Sequence, residues 1–325
     1  MNQPKKKIHA RQITLLATAA IFVALFATAS LLYSGFCSSR VAVNLFSENV
    51  TLGIVAVGMT LVIFSGGIDL SVGAIVGFTA ILTATFIQGH SMNPFVAWAI
   101  AMAAGTGLGT FMGWLISSFK LPPFLITLAG MFLARGLGFW INTESVAITH
   151  PLYKAISDRA FTLGSLSIPE LAVVLVAMVA IGYVLAHQTR YGRNLLAIGG
   201  NEQSALLMGL PVSSTKISVY ALNGLFAALA GIVASIYTGS GNPSAGIGLE
   251  LDAIAVVVIG GTLLTGGRGH MLGTLFGLLI FGTIQSALLF DGRLRPEWSR
   301  IVVGALLLSF ILLQRFLVQR ATRRA

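Results

Sequence analysis

Charged side chains are scarce in this sequence. Of its 325 residues only 9% are Asp, Glu, Lys or Arg, whereas 56% are hydrophobic. An average soluble domain carries about 25% charged and about 45 to 50% apolar residues. A chain with so few charges cannot cover a water-soluble core, so the composition excludes an ordinary soluble domain and indicates a membrane protein.

Cysteine is almost absent, since Cys37 is the only one in the sequence. A single cysteine excludes an internal disulfide framework. No cluster of cysteine and histidine residues has the spacing of metal ligands either. We therefore expect no metal site and no cofactor bound by the chain itself.

The formal net charge of +10 is the one feature that suggests nucleic acid. A nucleic-acid surface needs a basic face on a folded domain, with aromatic residues interleaved for stacking. Here the basic residues lie between apolar runs, as they do in membrane proteins. We expect their partners to be membrane lipid, and no nucleic acid.

Apolar runs recur along the whole chain. A transmembrane helix needs about 20 mostly apolar residues, which predicts an all-α polytopic membrane protein of about ten transmembrane helices in one domain, 1–325. The predicted spans are 13–33, 43–64, 71–88, 95–117, 124–142, 169–187, 215–238, 250–265, 271–290 and 299–317. The runs 71–88 and 250–265 are short and rich in glycine, which favours broken or tilted helices.

The first apolar run follows Lys5, Lys6 and Lys7, an arrangement that is also typical of a cleaved signal peptide. Its length exceeds the roughly 7 to 15 apolar residues of a signal core, so we expect a retained helix. Ten spans place both termini on one side, and most of the 20 Lys and Arg residues then fall on that side. Both termini are therefore predicted to be cytoplasmic.

Two glycine-rich stretches resemble each other at an offset of 200 residues. The runs from Ser65 to Gly73 and from Thr265 to Gly273 each hold a Gly-Gly pair and a third glycine six residues later. Duplicated halves are common in transporters and place the binding site between the repeats. Chance is the alternative in a chain with 37 glycines. On the ten-span count the copies run in the same sense, and a miscount by one helix would invert them.

The segment 188–214, predicted to be cytoplasmic, carries signals for a short helix. Asn201 suits the N-cap, Glu202 suits the first turn, and Gly209 suits the C-terminal end. A capped helix of this kind is a rigid surface for a partner protein. An ordinary solvated connector is the alternative that the residues leave open.

The motif VGMTLVIFSGGIDLSVG at 57–73 and the segment 189–210 resemble the ribose-type permeases of ABC importers. Within that family the sequence is most similar to the galactofuranose-type permease subunit. That similarity lies in ITLAGMF at 126–132, His150-Pro151 and ELDAIA at 250–255. The resemblance covers nearly the whole chain.

The resemblance implies a multi-pass subunit of the bacterial inner membrane that translocates a monosaccharide and is not itself an enzyme. It implies a cytoplasmic ATPase, a second permease subunit in a homo- or heterodimer, and a periplasmic sugar-binding protein as partners. No Walker A pattern occurs here, so ATP would be used by the partner subunits. The residues that would couple to the ATPase, within the cytoplasmic coupling segment 188–214, are Gly199, Gly200, Asn201, Glu202, Ala205 and Gly209.

Polar residues inside or beside the apolar runs are the candidates for the translocation path. They are Asn44, Asn49, Asp69, Glu250, Asp252 and Gln285. An intramembrane carboxylate such as Asp69 is costly enough to suggest function, yet it equally suits a helix cap. Glu250 and Asp252 equally complement a helix dipole, and the three amides equally suit hydrogen bonds between helices.

Two other functions remain open from the residues alone. A secondary sugar transporter driven by an ion gradient would use intramembrane acids such as Asp69 and Asp252. An intramembrane enzyme would need a nucleophile with a base, or a metal site. The five histidines lie near span ends or in connecting segments, without such partners in the sequence.

Overall fold

The structure is a computed structural model that describes residues 4–292 apart from 164–165, together with 298, 301–302, 304–305 and 308–309. Most of the described chain is helical. The helices are α1 (Pro4–Leu32), α2 (Ser39–Ser47), α3 (Val50–Phe64), α4 (Val72–Ala84), α5 (Pro94–Ser118), α6 (Pro123–Ile141), α7 (Pro151–Ser157), α8 (Glu170–Tyr183), α9 (Arg190–Gly200), α10 (Glu202–Leu207), α11 (Val212–Thr238), α12 (Leu249–Ile259) and α13 (Met271–Asp291). The strands are β1 (Val146–Ala147), β2 (Ala160–Leu163), β3 (Leu166–Pro169) and β4 (Ser240–Gly241), and β1 pairs with β4 and β2 with β3, both antiparallel.

Seven helices in the described part of the chain are long and apolar enough to cross a membrane. They are α1, α5, α6, α11 and α13, and α4 and α8 with the π turns that extend them. The pair α2 and α3, bent by 55° at its break, makes an eighth crossing if the two helices count as one span. The polytopic α-helical fold is thus confirmed, with seven or eight crossings among the described residues where ten were predicted. The tenth predicted span, 299–317, falls almost wholly outside those residues.

The predicted span 250–265 is shorter in the structure. α12 has 11 residues, which at 1.5 Å per residue makes about 16 Å, roughly half of the ~30 Å hydrocarbon core. The helix ends because Gly260 and Gly261 follow it, and Gly261 has a φ of +87°. Residues 260–270 form a turn that leads into α13.

α11 is the central helix of the packing and contacts α3, α4 and α5. It crosses α5 in the antiparallel sense, where Gly105 meets Gly224 and Gly109 meets Tyr220. A side chain at Gly105 or Gly224 would collide with backbone atoms of the other helix. Small residues at this crossing let the two backbones approach closely, as in other membrane bundles.

The helix ends define two faces of the molecule. The face that we call the α10 face holds α9, α10, the α5–α6 turn and the α12–α13 turn. The opposite α7 face holds α7 and the two strand pairs. Tyr153 anchors α7 there, since Trp98 Nε1 donates to Tyr153 Oη at 2.9 Å and Ser235 Oγ lies 3.2 Å from the same oxygen. Which face is cytoplasmic stays a prediction.

The two similar glycine stretches meet in space. Gly66, just after α3, lies against Gly266 in the α12–α13 turn. The Gly267 amide donates to the carbonyl oxygen of Phe64 at 3.1 Å. α3 and α12 both run antiparallel to α13 and therefore in the same sense. A duplicated origin of the two stretches stays a prediction.

Candidate coupling and translocation site

α10 has the local structure that its sequence predicts. Asn201 Oδ1 accepts a hydrogen bond from the Ser204 amide at 2.8 Å, which caps the N-terminus. At the other end Gly209 has a φ of +76°, and the Leu210 amide donates to the Ala205 carbonyl at 3.1 Å. This left-handed glycine with a backward hydrogen bond is the Schellman motif. The cap positions Asn201 and Gly209 are confirmed.

α10 presents an apolar surface at the α10 face. Leu206, Leu207 and Met208 are 64%, 88% and 68% exposed. Ala205, by contrast, is buried beside Ile198 of α9. Contiguous exposed apolar side chains mark interaction surfaces.

Two contacts fix the α9–α10 segment to the start of α11. Lys216 Nζ lies 2.6 Å from Glu202 Oε2, a partly exposed ion pair that contributes about 1 kcal/mol or less. Ser218 Oγ lies 3.4 Å from Tyr191 Oη of α9. Burial raises the pKa of Tyr191 to about 12, so this phenol stays neutral in the physiological range. α9 and α10 are therefore mounted on α11 rather than carried by a flexible loop.

Gly199 and Gly200, adjacent at the end of α9, have opposite surroundings. A Cβ at Gly199 would collide with the Phe64 carbonyl oxygen and lie 2.6 Å from the Gly267 amide nitrogen. A Cβ at Gly200 would meet no atom within 4 Å. Of these two glycines, Gly199 is the one whose position leaves no room for a side chain.

Asp69 is fully buried in the break between α3 and α4. Its Oδ1 accepts from the Ser71 amide at 2.9 Å and from Ser71 Oγ at 2.6 Å. Its Oδ2 accepts from Asn223 Nδ2 of α11 at 2.8 Å. Three donors from the chain itself satisfy this carboxylate just before α4, where Ser71 is the N-cap residue and makes no side-chain capping hydrogen bond. The role of Asp69 in the translocation path stays a prediction.

Glu250 and Asp252 lie in the first turn of α12. Glu250 Oε2 is buried and has no hydrogen-bond partner among the described residues. The loop before α12 is held by Arg135 of α6, whose Nη1 donates to the carbonyls of Pro243 at 2.6 Å and Ala245 at 2.8 Å. A guanidinium inside an apolar helix needs such acceptors.

The three candidate amides lie on α2, at the α2–α3 bend and on α13. Asn49 is buried at the bend, and its Nδ2 donates to the Leu45 carbonyl at 3.0 Å and lies beside Gly282 of α13. Asn44 and Gln285 are partly buried. The six path candidates therefore fall into three groups: Asp69 between α3 and α4, the acids of α12, and the amides around α2 and α13.

Sequence reasoning missed Asn223 and the contact between His187 and His270. An amide in the middle of an apolar run was the only signal for Asn223. The histidine rings stack with centroids 4.5 Å apart. His187 Nε2 accepts from the Met271 amide at 3.0 Å and His270 Nδ1 from the Leu272 amide at 3.1 Å. Together they cap the start of α13, and no group of three possible metal ligands occurs among the described residues.

Comparison with known proteins assigns the chain to a family. Residues 41–311 match the family described as branched-chain amino acid transport system / permease component. The chain belongs to this permease family. No solved structure matches it.

Three relatives are similar over nearly their whole length. The inner membrane ABC transporter permease protein YjfF of Escherichia coli (strain K12) is 47% identical over 306 residues, 94% of this chain and 92% of the relative. The fructose import permease protein FruG of Bifidobacterium longum (strain NCC 2705) is 38% identical over 323 residues, 96% and 94%. The ribose import permease protein RbsC of Bacillus subtilis (strain 168) is 40% identical over 287 residues, 88% and 88%.

These matches confirm the resemblance to ribose-type ABC permeases. Together with the apolar helices they make the chain a multi-pass inner membrane protein and a transport subunit. Membership of an ABC importer family implies an ATPase and a substrate-binding protein as partners.

Proposed function

We propose that this chain is the permease subunit of an ABC importer that carries a monosaccharide across the bacterial inner membrane. Two of the relatives are named for fructose and for ribose import, which supports a sugar substrate. We propose a sugar of the ribose or galactofuranose type, on the motifs at 126–132 and 250–255.

The observation that carries the proposal is the capped helix α10 with its three exposed apolar side chains. We take the α10 face as cytoplasmic and α10 as the element that contacts the ATPase. Of the residues named from the sequence, Gly199, Asn201, Glu202, Ala205 and Gly209 would act in coupling. Gly200, where a Cβ would meet no atom within 4 Å, would tolerate a side chain. Since the chain holds no Walker A pattern, ATP stays on the partner and the permease itself binds no cofactor.

The α7 face would then be periplasmic and would receive the sugar-binding protein on the segment between α6 and α8. A second permease subunit, identical or different, would complete the path. Asn44, Asn49, Asp69, Glu250, Asp252 and Gln285 remain the candidates to line it.

Copurification and reconstitution test the proposal. We expect the tagged full-length chain to copurify from bacterial membranes with a protein that hydrolyses ATP. In proteoliposomes that hold this complex and the binding protein, we expect uptake of a labelled ribose-type sugar. This uptake should require ATP on the side of the membrane where the ATPase lies. Sugar flux through the chain alone, driven by a proton or sodium gradient, would refute the proposal.

A further inference from the structure

Three turns of the chain meet at one point of the α10 face. They are the turn after α3, the C-terminal end of α9, and the turn between α12 and α13. Their contact, which we call the glycine junction, is formed by Gly66, Gly199, Gly266 and Gly267. All of its close approaches are between backbone atoms, which cannot rotate away as side chains do.

The coupling segment enters this junction without a flexible link. Asn201 is at once the C-cap residue of α9 and the N-cap residue of α10. Its amide donates to the Ala197 carbonyl at 3.1 Å while its side chain caps α10. Gly199 lies only two residues from this shared cap, so α10 and the junction are rigidly connected.

The junction leads directly to two helix starts. Two residues beyond Gly67 is Asp69, which is bound to Ser71 at the start of α4 and to Asn223 of α11. Three residues beyond Gly267 is His270, which caps α13. The Gly267 amide joins the two turns through the Phe64 carbonyl.

We propose that Gly199 is the positioning residue through which movement of α10 reaches both helix breaks, the one before α4 and the one before α13. This inference rests on the proposed function, since the ATPase supplies the movement. A side chain at position 199 would wedge α9 away from the Phe64 carbonyl and from Gly267. The three turns move as one unit only while that gap stays closed.

The first test compares two adjacent alanine variants in the reconstituted complex of permease, ATPase and binding protein. Sugar uptake and ATP hydrolysis are measured in the same vesicles. In Gly199→Ala we expect hydrolysis within about twofold of the original chain and uptake lower by about tenfold, a change within the usual range of coupling between sites. In Gly200→Ala, whose new methyl group meets open space, we expect both rates to be kept.

The ratio of ATP hydrolysed to sugar imported separates coupling from instability. A destabilised protein loses both activities in proportion, so the ratio stays constant. A constant ratio in Gly199→Ala, or equal behaviour of the two alanine variants, overturns the inference.

A second test leaves Gly199 in place. Gly200 and Arg268 are both exposed and flank the junction, so Gly200→Cys and Arg268→Cys are combined in a Cys37→Ser background and joined with a short bifunctional maleimide. We expect the same cross-linking yield with and without ATP and vanadate, and uptake that survives cross-linking. A yield that changes with nucleotide, or uptake stopped by the cross-link, shows that the turns move apart and overturns the inference.

The two proposals fail in different ways. If the original complex shows no ATP-dependent uptake, the proposed function is wrong whatever residue 199 does. If its uptake is driven by ATP and only the outcomes above fail, the proposed function stands and the role of Gly199 does not.

Discussion

The two glycine turns begin alike and are secured by different chemistry. After its Gly-Gly pair the first turn places Asp69 in the protein interior, where Ser71 and Asn223 satisfy the carboxylate. At the position of Asp69 the second turn has Gly269, and a pair of stacked histidines caps the following helix. A buried carboxyl group with three neutral donors holds the first break, and stacked aromatic rings with capping hydrogen bonds hold the second.

The difference shows how one backbone motif can serve two purposes. The first break is costly to open, because any movement of Asp69 leaves buried donors without an acceptor. The second is bound by caps that each contribute about 1 kcal/mol. We expect the break before α13 to yield first when the α10 face moves. Two of the following substitutions, at Asp69 and His270, test this ranking, and two others test α10.

Asp69→Ala has the largest expected effect. It removes the acceptor for Ser71 and for Asn223 Nδ2 inside the protein, and we expect the free energy of unfolding to fall by about 3 kcal/mol. The measurement is the thermal unfolding midpoint of the purified protein in detergent. Asp69→Asn is the control. Asn223 Oδ1 has no partner among the described residues. If the side-chain amide of Asn223 flips, this oxygen can accept from the NH₂ group introduced at position 69, and the variant should keep most of the stability of the original protein. Equal losses in the two variants would contradict the network.

His270→Ala should cost less, about 1 to 2 kcal/mol, because it removes one N-cap and one stacked ring from the start of α13. The same unfolding measurement applies. His270→Asn keeps a cap acceptor without the ring, and an intermediate stability is expected. A loss larger than that of Asp69→Ala would reverse the ranking of the two breaks.

Leu207→Ser acts outside both breaks. Leu207 is 88% exposed, so the unfolding midpoint should stay within the error of the measurement. ATPase binding to the permease should weaken by about tenfold, because a buried apolar anchor is worth more than about 1 kcal/mol at an interface. Titration of the ATPase against permease in nanodiscs measures this. Leu121→Ser, also on the α10 face but 38% exposed, is the comparison. If both variants weaken ATPase binding equally, α10 is not the main contact with the ATPase.

Glu202→Gln has the smallest expected effect. The pair with Lys216 is partly exposed, and its loss should change stability by about 1 kcal/mol or less. Raised salt should reduce the difference between the two proteins, since screening weakens the original pair. A difference that survives high salt would mean that Glu202 does more than orient α10.

Local signals in the sequence were enough for most of the long apolar helices and for α10, but they gave neither the bend between α2 and α3 nor the end of α12. Apolar runs follow from bilayer thickness, and Asn201 and Gly209 act on amides within a few residues of themselves. The predicted span 250–265 is longer than α12 because the apolar run continues to Leu264, while Gly260 and Gly261 end the helix.

The contacts that organise the candidate site were beyond local signals. Asp69 and Asn223 are 154 residues apart, and His187 and Met271 are 84 residues apart. The similarity of the two glycine turns suggested that they are related, but nothing in the sequence indicated that Gly199, in a third segment, packs against both of them.

The short length of α12 has a consequence for how the protein is made. A segment of 11 residues is too short to be recognised as a membrane span by itself, since insertion depends on about 20 apolar residues. We therefore expect α12 to enter the bilayer as one arm of a hairpin with α13, against which it packs, after α13 has left the ribosome. Biogenesis of the second glycine turn would then be a late event, set by the order of synthesis rather than by α12 itself.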